Sequence, residues 1–313
     1  MYYPYFRGKQ FELITIRETA TLLAEKGFVP LIEPVRESLG GLKRTLEAIR
    51  EAQGKAIVIV NPQYGDHSDD GTDITALLEG GFIGTTGISA GILLRSNTSL
   101  SDAKAHFERH RDHHPTFVHA GFNEPRALAE YLGTGLKQSA HVFVSSPAAM
   151  LYRKHFTGST RILIQDGFER RKNADYALNS PEKFSELHVT YRELVLSGFG
   201  DFLIVGDDYS ESGGPAYAVA IHLTYIDPSD DNVMYVHHFV STSNDTPTDP
   251  AGKFAQALEK LIDHLDSGRS NLLETKAIVA FRELHAEQHF PGLGNVKKLS
   301  MKHHIETLAA YLR

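Results

Sequence analysis

Acidic side chains recur where short apolar runs end. Glu33 closes FVPLIEP, Asp166 closes TRILIQD, and Asp207 and Asp208 follow DFLIVG. Carboxylates that converge in one pocket can hold a divalent metal through oxygen, or can divide acid and base roles when burial and repulsion separate their pKa values. Glu33, Asp166 and Asp207 are therefore candidate catalytic groups and candidate metal ligands, with Asp208 as a ligand-binding neighbour. Strand-end acids also cap helices or satisfy loop amides, and that alternative stays open. Basic groups stand at comparable places: Arg95 ends ISAGILLR, and Arg170 and Arg171 lie in the cluster Glu169–Lys172 just after Asp166. Guanidinium forks match phosphate or carboxylate groups, whereas short charge runs are more commonly solvated loops. His119, at the end of PTFVHA, and Lys9, in Arg7-Gly8-Lys9, complete the candidate ligand-binding set, Lys9 on condition that the N-terminal segment folds across an opening.

Other clusters invite a chemical reading and support it less well. His106 and His110 are four residues apart and His110, His113 and His114 form HRDHH, yet no glutamate stands where an H-E-x-x-H site needs one, and a polar helix end on the side of the barrel away from the mouth explains them more simply. His237-His238 and His303-His304 have no carboxylate at motif spacing and read as structural. The acid-rich loop Asp66–Asp73 departs from the EF-hand pattern and reads as a turn with a helix cap at Asp73. The glycines around Gly80–Gly87 form neither G-x-G-x-x-G nor a lysine-bearing phosphate loop, and no G-x-S-x-G elbow is present.

These residues need elements to position them. Seven nearly continuous apolar runs read as strands covered on both faces: Phe28–Pro34, Ala56–Asn61, Ile88–Arg95, Pro115–Ala120, Ala140–Ser145, Thr160–Asp166 and Asp201–Gly206. Amphipathic stretches between them fit crossover helices, and a helix over Gln10–Lys26 is expected before the first strand. Helix starts are marked at Ser99/Ser101, Asn123-Glu124-Pro125, Ser146-Pro147, Ser180-Pro181 and Asp249-Pro250. The repeat breaks at Tyr209–Pro215; an antiparallel hairpin, Tyr217–Ile226 and Met234–Ser241, and three helices from Ala251 follow. The expected fold is α/β, a (β/α)8 TIM-barrel-like domain irregular on its closing side, with one hairpin strand available as the eighth. Residues 1–313 are taken as a single domain, with 251–313 its helical C-terminal extension. Functional side chains of such a barrel gather at the carboxyl ends of its strands, which is why the strand-end residues above are the candidates.

Composition narrows the classes. Hydrophobic residues at 41% and charged ones at 23% suit a globular chain with a sizeable core. No apolar run reaches bilayer length and the N-terminus lacks signal-peptide form, so a cytoplasmic protein without a membrane partner is expected. With no cysteine, thiolate chemistry and Cys-ligated metals are excluded. A formal charge of -7 argues against a generic nucleic-acid surface.

Four blocks carry a family resemblance: YYPYFRGKQFEL with PLIEP, DGFERRKNADY, GDDYSESGGPAYAVAIHLTY and HFPGLGNVKKLSMKHHIE. They resemble an uncharacterised bacterial family that is itself distantly similar to the phage-type Beta protein family. The resemblance implies a bacterial protein in phage-related or defence surroundings, acting beside a nuclease-like protein partner, and it assigns no catalytic residue. Two functions are carried forward. One is an enzyme of hydrolase type acting on a phosphate-bearing or other anionic small molecule or nucleotide, with a divalent metal as cofactor. The other is a non-catalytic binding or regulatory protein.

Overall fold

The computed structural model describes residues 1–82, 87–144, 150–178, 180–211 and 214–312. Internal contacts divide them into two compact units where the sequence reads as one domain: Met1–Asp166 with Thr190–Phe202, and Gly167–Val189 with Leu203–Arg313.

The first unit is a (β/α)8 barrel. Its strands are β1 (Tyr5–Phe6), β2 (Leu31–Ile32), β3 (Ala56–Ile59), β4 (Ile88–Arg95), β5 (Thr116–Ala120), β6 (Ala140–Val144), β7 (Thr160–Ile164) and β9 (Gly198–Gly200), all parallel and paired in that order. The ring closes between its ends, where Tyr3 N donates to Phe199 O at 2.8 Å, Phe199 N to Met1 O at 3.0 Å and Tyr5 N to Asp201 O at 2.9 Å. Helices α1 (Gln10–Lys26), α2 (Gly40–Glu51), α3 (Thr72–Gly81), α4 (Leu100–Arg109), α5 (Pro125–Leu132) and α6 (Met150–Lys154) follow successive strands. Alternation along the strands sends Tyr3, Tyr5, Leu31, Ile57, Ile59, Leu93, Val118, Val142, Ile162, Ile164 and Phe202 into one interior cluster.

The closing strand differs from the sequence-based expectation. The eighth strand is supplied by the aromatic N-terminus, not by the hairpin, and α1 follows β1 although its expected limits are the observed ones. The run expected at Asp201–Gly206 pairs earlier, at 198–200, while Leu203–Val205 is a single 3-10 turn. The expected irregularity on the closing side is present, because the chain between β7 and β9 passes through the second unit instead of a full crossover helix. β9 takes its GFG composition from close approach: a Cβ on Gly200 would stand 1.9 Å from Tyr3 O. Gly200→Ala is expected to destabilise the barrel by about 1–3 kcal/mol, read as a lower urea midpoint, since backbone at the seam must move to admit one methyl group.

Local signals explain the helix boundaries. Ser99 makes a capping box with Asp102, Asp249 accepts from Gly252 N at 2.9 Å ahead of Pro250, and α1 ends at Gly27 in the left-handed region. Two expected starts are corrected. Ser180-Pro181 is a cis peptide leading into strand, and Asp70, not Asp73, accepts from Thr72 N at 2.9 Å at the start of α3. Pro125 opens α5 as expected but without a side-chain cap, and Ser145 and Ser146-Pro147 lie outside the described residues.

The second unit holds a three-stranded antiparallel sheet, ordered β10 (Ala220–Asp227), β11 (Val233–Val240), β8 (Glu182–Ser185). The short α7 (Leu187–Thr190) follows β8. The long helices α8 (Pro250–Asp266), α9 (Lys276–Ala286) and α10 (Leu293–Tyr311) belong to this unit. Ile221, Leu223, Tyr225 and Phe239 pack with Phe254, Leu261, Phe281 and Leu299 into its core. Among the described residues, no helix is long and apolar enough to cross a membrane.

Candidate functional site

The carboxyl end of the barrel is built by continuing the inward alternation one step past the apolar interior. Glu33 follows Leu31 by two residues, Asn61 follows Ile59, Arg95 follows Leu93 and Arg7 follows Tyr5. Glu33 is fully buried. Its Oε2 accepts from Tyr5 OH at 2.8 Å and from Arg7 Nη1 at 2.5 Å, and its Oε1 accepts from Gln63 N at 2.7 Å. The Arg7 guanidinium lies 5.1, 4.8 and 5.3 Å from the ring centroids of Tyr5, Tyr64 and Phe202. A buried carboxylate with charge-assisted donors on both oxygens, and a cation faced by three rings, form a pre-organised unit. Asn61 extends the ladder beside it, donating from Nδ2 to Leu93 O at 2.9 Å and accepting from Leu93 N at 2.8 Å.

Arg95 is placed differently. It is half-buried, its Nε is shut off from water without a hydrogen-bond acceptor, and its guanidinium makes no hydrogen bond or ion pair with a described residue. It lines a polar pocket of about 280 Å³ together with Asn61, His67, Thr98, Arg109 and His110. Asp69, Asp70 and Asp102 stand in the same wall, the last two engaged at helix starts by Thr72 and Ser99. Buried His110 is fixed by Thr75 Oγ1 at 3.0 Å and His106 O at 2.8 Å, and burial lowers its pKa. The His106/His110 pair thus belongs to the wall of this pocket, which the reading of HRDHH as a helix end away from the mouth did not foresee.

Asp166 is exposed beyond β7, and Asp207 and Asp208 are exposed in the second unit. Among the described residues no group of three or more His, Asp or Glu is arranged to hold a metal ion. At Glu33 the two oxygens already accept three protein donors. Arg170 and Arg171 are also committed within the second unit. Arg170 donates to Asp208 O at 2.8 Å; Arg171 grips Glu182 at 2.8 and 2.9 Å and reaches Glu169 at 2.6 Å. Lys9 is half-buried at the residue before α1.

His119 is buried on the outer face of the sheet, among Phe117, Phe143 and Phe156. It belongs to a run of hydrogen bonds: Tyr152 OH to His119 Nδ1 at 2.7 Å, His119 Nε2 to His141 Nδ1 at 2.9 Å, His141 Nε2 to Ser139 Oγ at 2.7 Å, and Ser139 Oγ to Leu136 O at 2.6 Å. The last acceptor is a carbonyl, so each proton in the run has one direction, with Tyr152 donating at its head. Burial holds His119 well below 6.5 and pushes His141 down to about 3, which keeps both rings neutral. Every nitrogen in the pair is satisfied, so this is a structural strut inside the wall.

A larger cavity of about 820 Å³ lies at the opposite, amino-terminal end of the strands, lined by Tyr3, Lys55, Ser89, Arg111, Tyr131 and Ser139 among others. Its position follows from strand polarity: its lining residues start the strands that Glu33, Asn61 and Arg95 finish. Known proteins add little to this geometry. No family model and no curated protein matches the chain. An alanine variant of morphinone reductase solved in complex with tetrahydroNAD is similar at a TM-score of 0.35 and 10% identity, over 64% of this chain and 82% of that one, a likeness too loose to carry an argument.

Proposed function

We propose that the barrel binds a small anionic ligand, phosphate-bearing or carboxylate, at the Arg95 pocket. The observation that carries this reading is the half-buried Arg95 guanidinium: its Nε is shut off from water with no acceptor on it, and an anion in the adjoining pocket would supply one. Thr98, Asn61 and the exposed Arg109 supply further donors along the same wall. A pocket of about 280 Å³ suits a phosphate group or a compact phosphorylated fragment. Of the two functions the sequence left open, the anionic-ligand one is favoured, as ligand binding; a metal-assisted hydrolysis by Glu33, Asp166 and Asp207 is not part of it.

Calorimetric titration with inorganic phosphate and with a nucleoside diphosphate tests the reading. The wild-type chain should bind at least one of them, and Arg95→Met should weaken that binding tenfold or more. Without ligand, Arg95→Met should unfold at a higher urea concentration, by about 1 kcal/mol, because an unsatisfied buried donor is removed. Equal affinity in wild type and variant, or no binding of either probe by the wild type, would overturn the assignment.

A further inference from the structure

Within the second unit, three side chains far apart in sequence are joined in a line. Glu182 of β8 grips Arg171 through both oxygens, and its Oε1 also accepts from His238 Nε2 at 3.0 Å. His238 of β11 meets His222 of β10 Nδ1 to Nδ1 at 2.7 Å. The antiparallel register pairs His222 with His238, so the two rings share one face of the sheet. Tyr176 and Phe168 cover that face, their ring centroids 4.7 and 5.0 Å from that of His222.

We propose that Glu182, His238 and His222 form a proton relay whose free end, Nε2 of His222, is a base toward a hydroxyl-bearing ligand or water. The direction follows from donor counting. A carboxylate only accepts, so His238 Nε2 carries the hydrogen and neutral His238 offers a lone pair at Nδ1. The contact to His222 then requires the hydrogen on His222 Nδ1. That leaves the lone pair of His222 on Nε2, which makes no hydrogen bond to a described residue, on a ring that is half-buried. The arrangement contrasts with the strut in the barrel wall, where the final donor is consumed by a carbonyl. It has the logic of a base held in one tautomer by a second group that a third group orients.

The charges facing the pair set its basicity. Burial lowers the pKa of both rings; the His238 ring and Lys297 of α10 add to this at His222, while Glu182 opposes it at His238 and Arg171 reinforces it there. Both imidazoles are therefore neutral at pH 7, the state the relay requires. When an O–H donor is deprotonated, its proton adds to His222 Nε2 and the electron pair stays on oxygen as a nucleophile. The resulting positive charge is shared through His238 toward the Glu182 carboxylate.

The test uses the full chain. Nitrogen-15 NMR near pH 7 should show His222 protonated on Nδ1 and bare on Nε2, with His238 protonated on Nε2; the reverse tautomer at His222 would overturn the proposal. Hydrolysis of p-nitrophenyl acetate is the functional probe. His222→Gln should lower the rate at least tenfold, whereas His155→Gln, at an exposed histidine of the barrel, should leave it unchanged. Glu182→Gln should move the midpoint of the pH–rate profile downward, an effect that a packing role would not produce. A wild-type rate no greater than that of His222→Gln would equally remove the proposal. These readouts do not involve Arg95, so success or failure here is separable from the anion-binding test.

Discussion

Glu33→Ala is expected to cost the barrel about 3–5 kcal/mol, the range found when one partner of a buried, hydrogen-bonded ion pair is deleted. The loss exceeds that of an ordinary core truncation of similar size because three donors lose the same carboxylate at once. Arg7 would lose its Glu33 partner while staying buried, Tyr5 OH would lose its Glu33 acceptor, and the amide of Gln63 would point at a void. Urea unfolding followed by circular dichroism would measure it. The partner deletion, Arg7→Ala, should be similarly costly, and Arg7→Ala/Glu33→Ala together should cost clearly less than the sum, since each single change exposes the other's charge. An additive double variant would show that the two residues are held by packing and not by each other.

Acid should weaken both units well before the carboxylates titrate. His141 and His303 are fully inaccessible, and burial pushes them down to about 3 and about 4 from 6.5; His119 is also held well below 6.5. The unfolded chain binds these protons near pH 6.5 and the folded chain does not. The stability contribution is therefore complete above pH 6.5 and is lost as the pH falls toward those folded values. Each such group contributes a slope of up to about 1.4 kcal/mol per pH unit inside that window. Urea midpoints taken at about pH 7, 5.5 and 4.5 should fall steadily, and a flat profile would contradict the neutral assignments. His303 offers a check on the second unit: its Nδ1 meets Thr275 Oγ1 at 2.8 Å and its Nε2 donates to Thr224 O at 2.8 Å, so His303→Gln should reduce the slope there.

Those histidines also show what could be read ahead of the structure. Long-period signals carried through: α1 has the limits its pattern gives, Ile88–Arg95 is a strand end to end, and the hairpin is paired as its turn residues imply. Elements whose stability comes from distant partners did not. β1 is two residues long, in a segment whose buried tyrosines equally suit an anchor; β9 is glycine-rich, a composition that weakens any strand signal and is required here only because another strand crowds it. At the candidate site, Glu33 and Arg95 were identifiable as strand-end polar residues, since alternation alone puts them at the mouth. Their different fates were not, because the partners that saturate Glu33 come from Tyr5, Arg7 and Gln63 on two other segments. The Glu182–His238–His222 line was hidden for the same reason. Its members sit 16 and 56 residues apart, and only strand register brings them together.

The route of the chain through β9 bears on how this protein can be taken apart. The last stave of the barrel, 198–200, lies between two stretches, 167–189 and 203–313, that both belong to the other unit. No single cut therefore yields two whole pieces. A fragment ending at 166 keeps seven staves and leaves β7 and the N-terminal strand as two open edges, the kind of surface that pairs with neighbours and precipitates. During synthesis the aromatic N-terminus must likewise wait for some two hundred residues to emerge before its second neighbour exists. Any dissection of the two units has to splice 190–202 onto the barrel and rejoin the flanking segments, or study them as one chain.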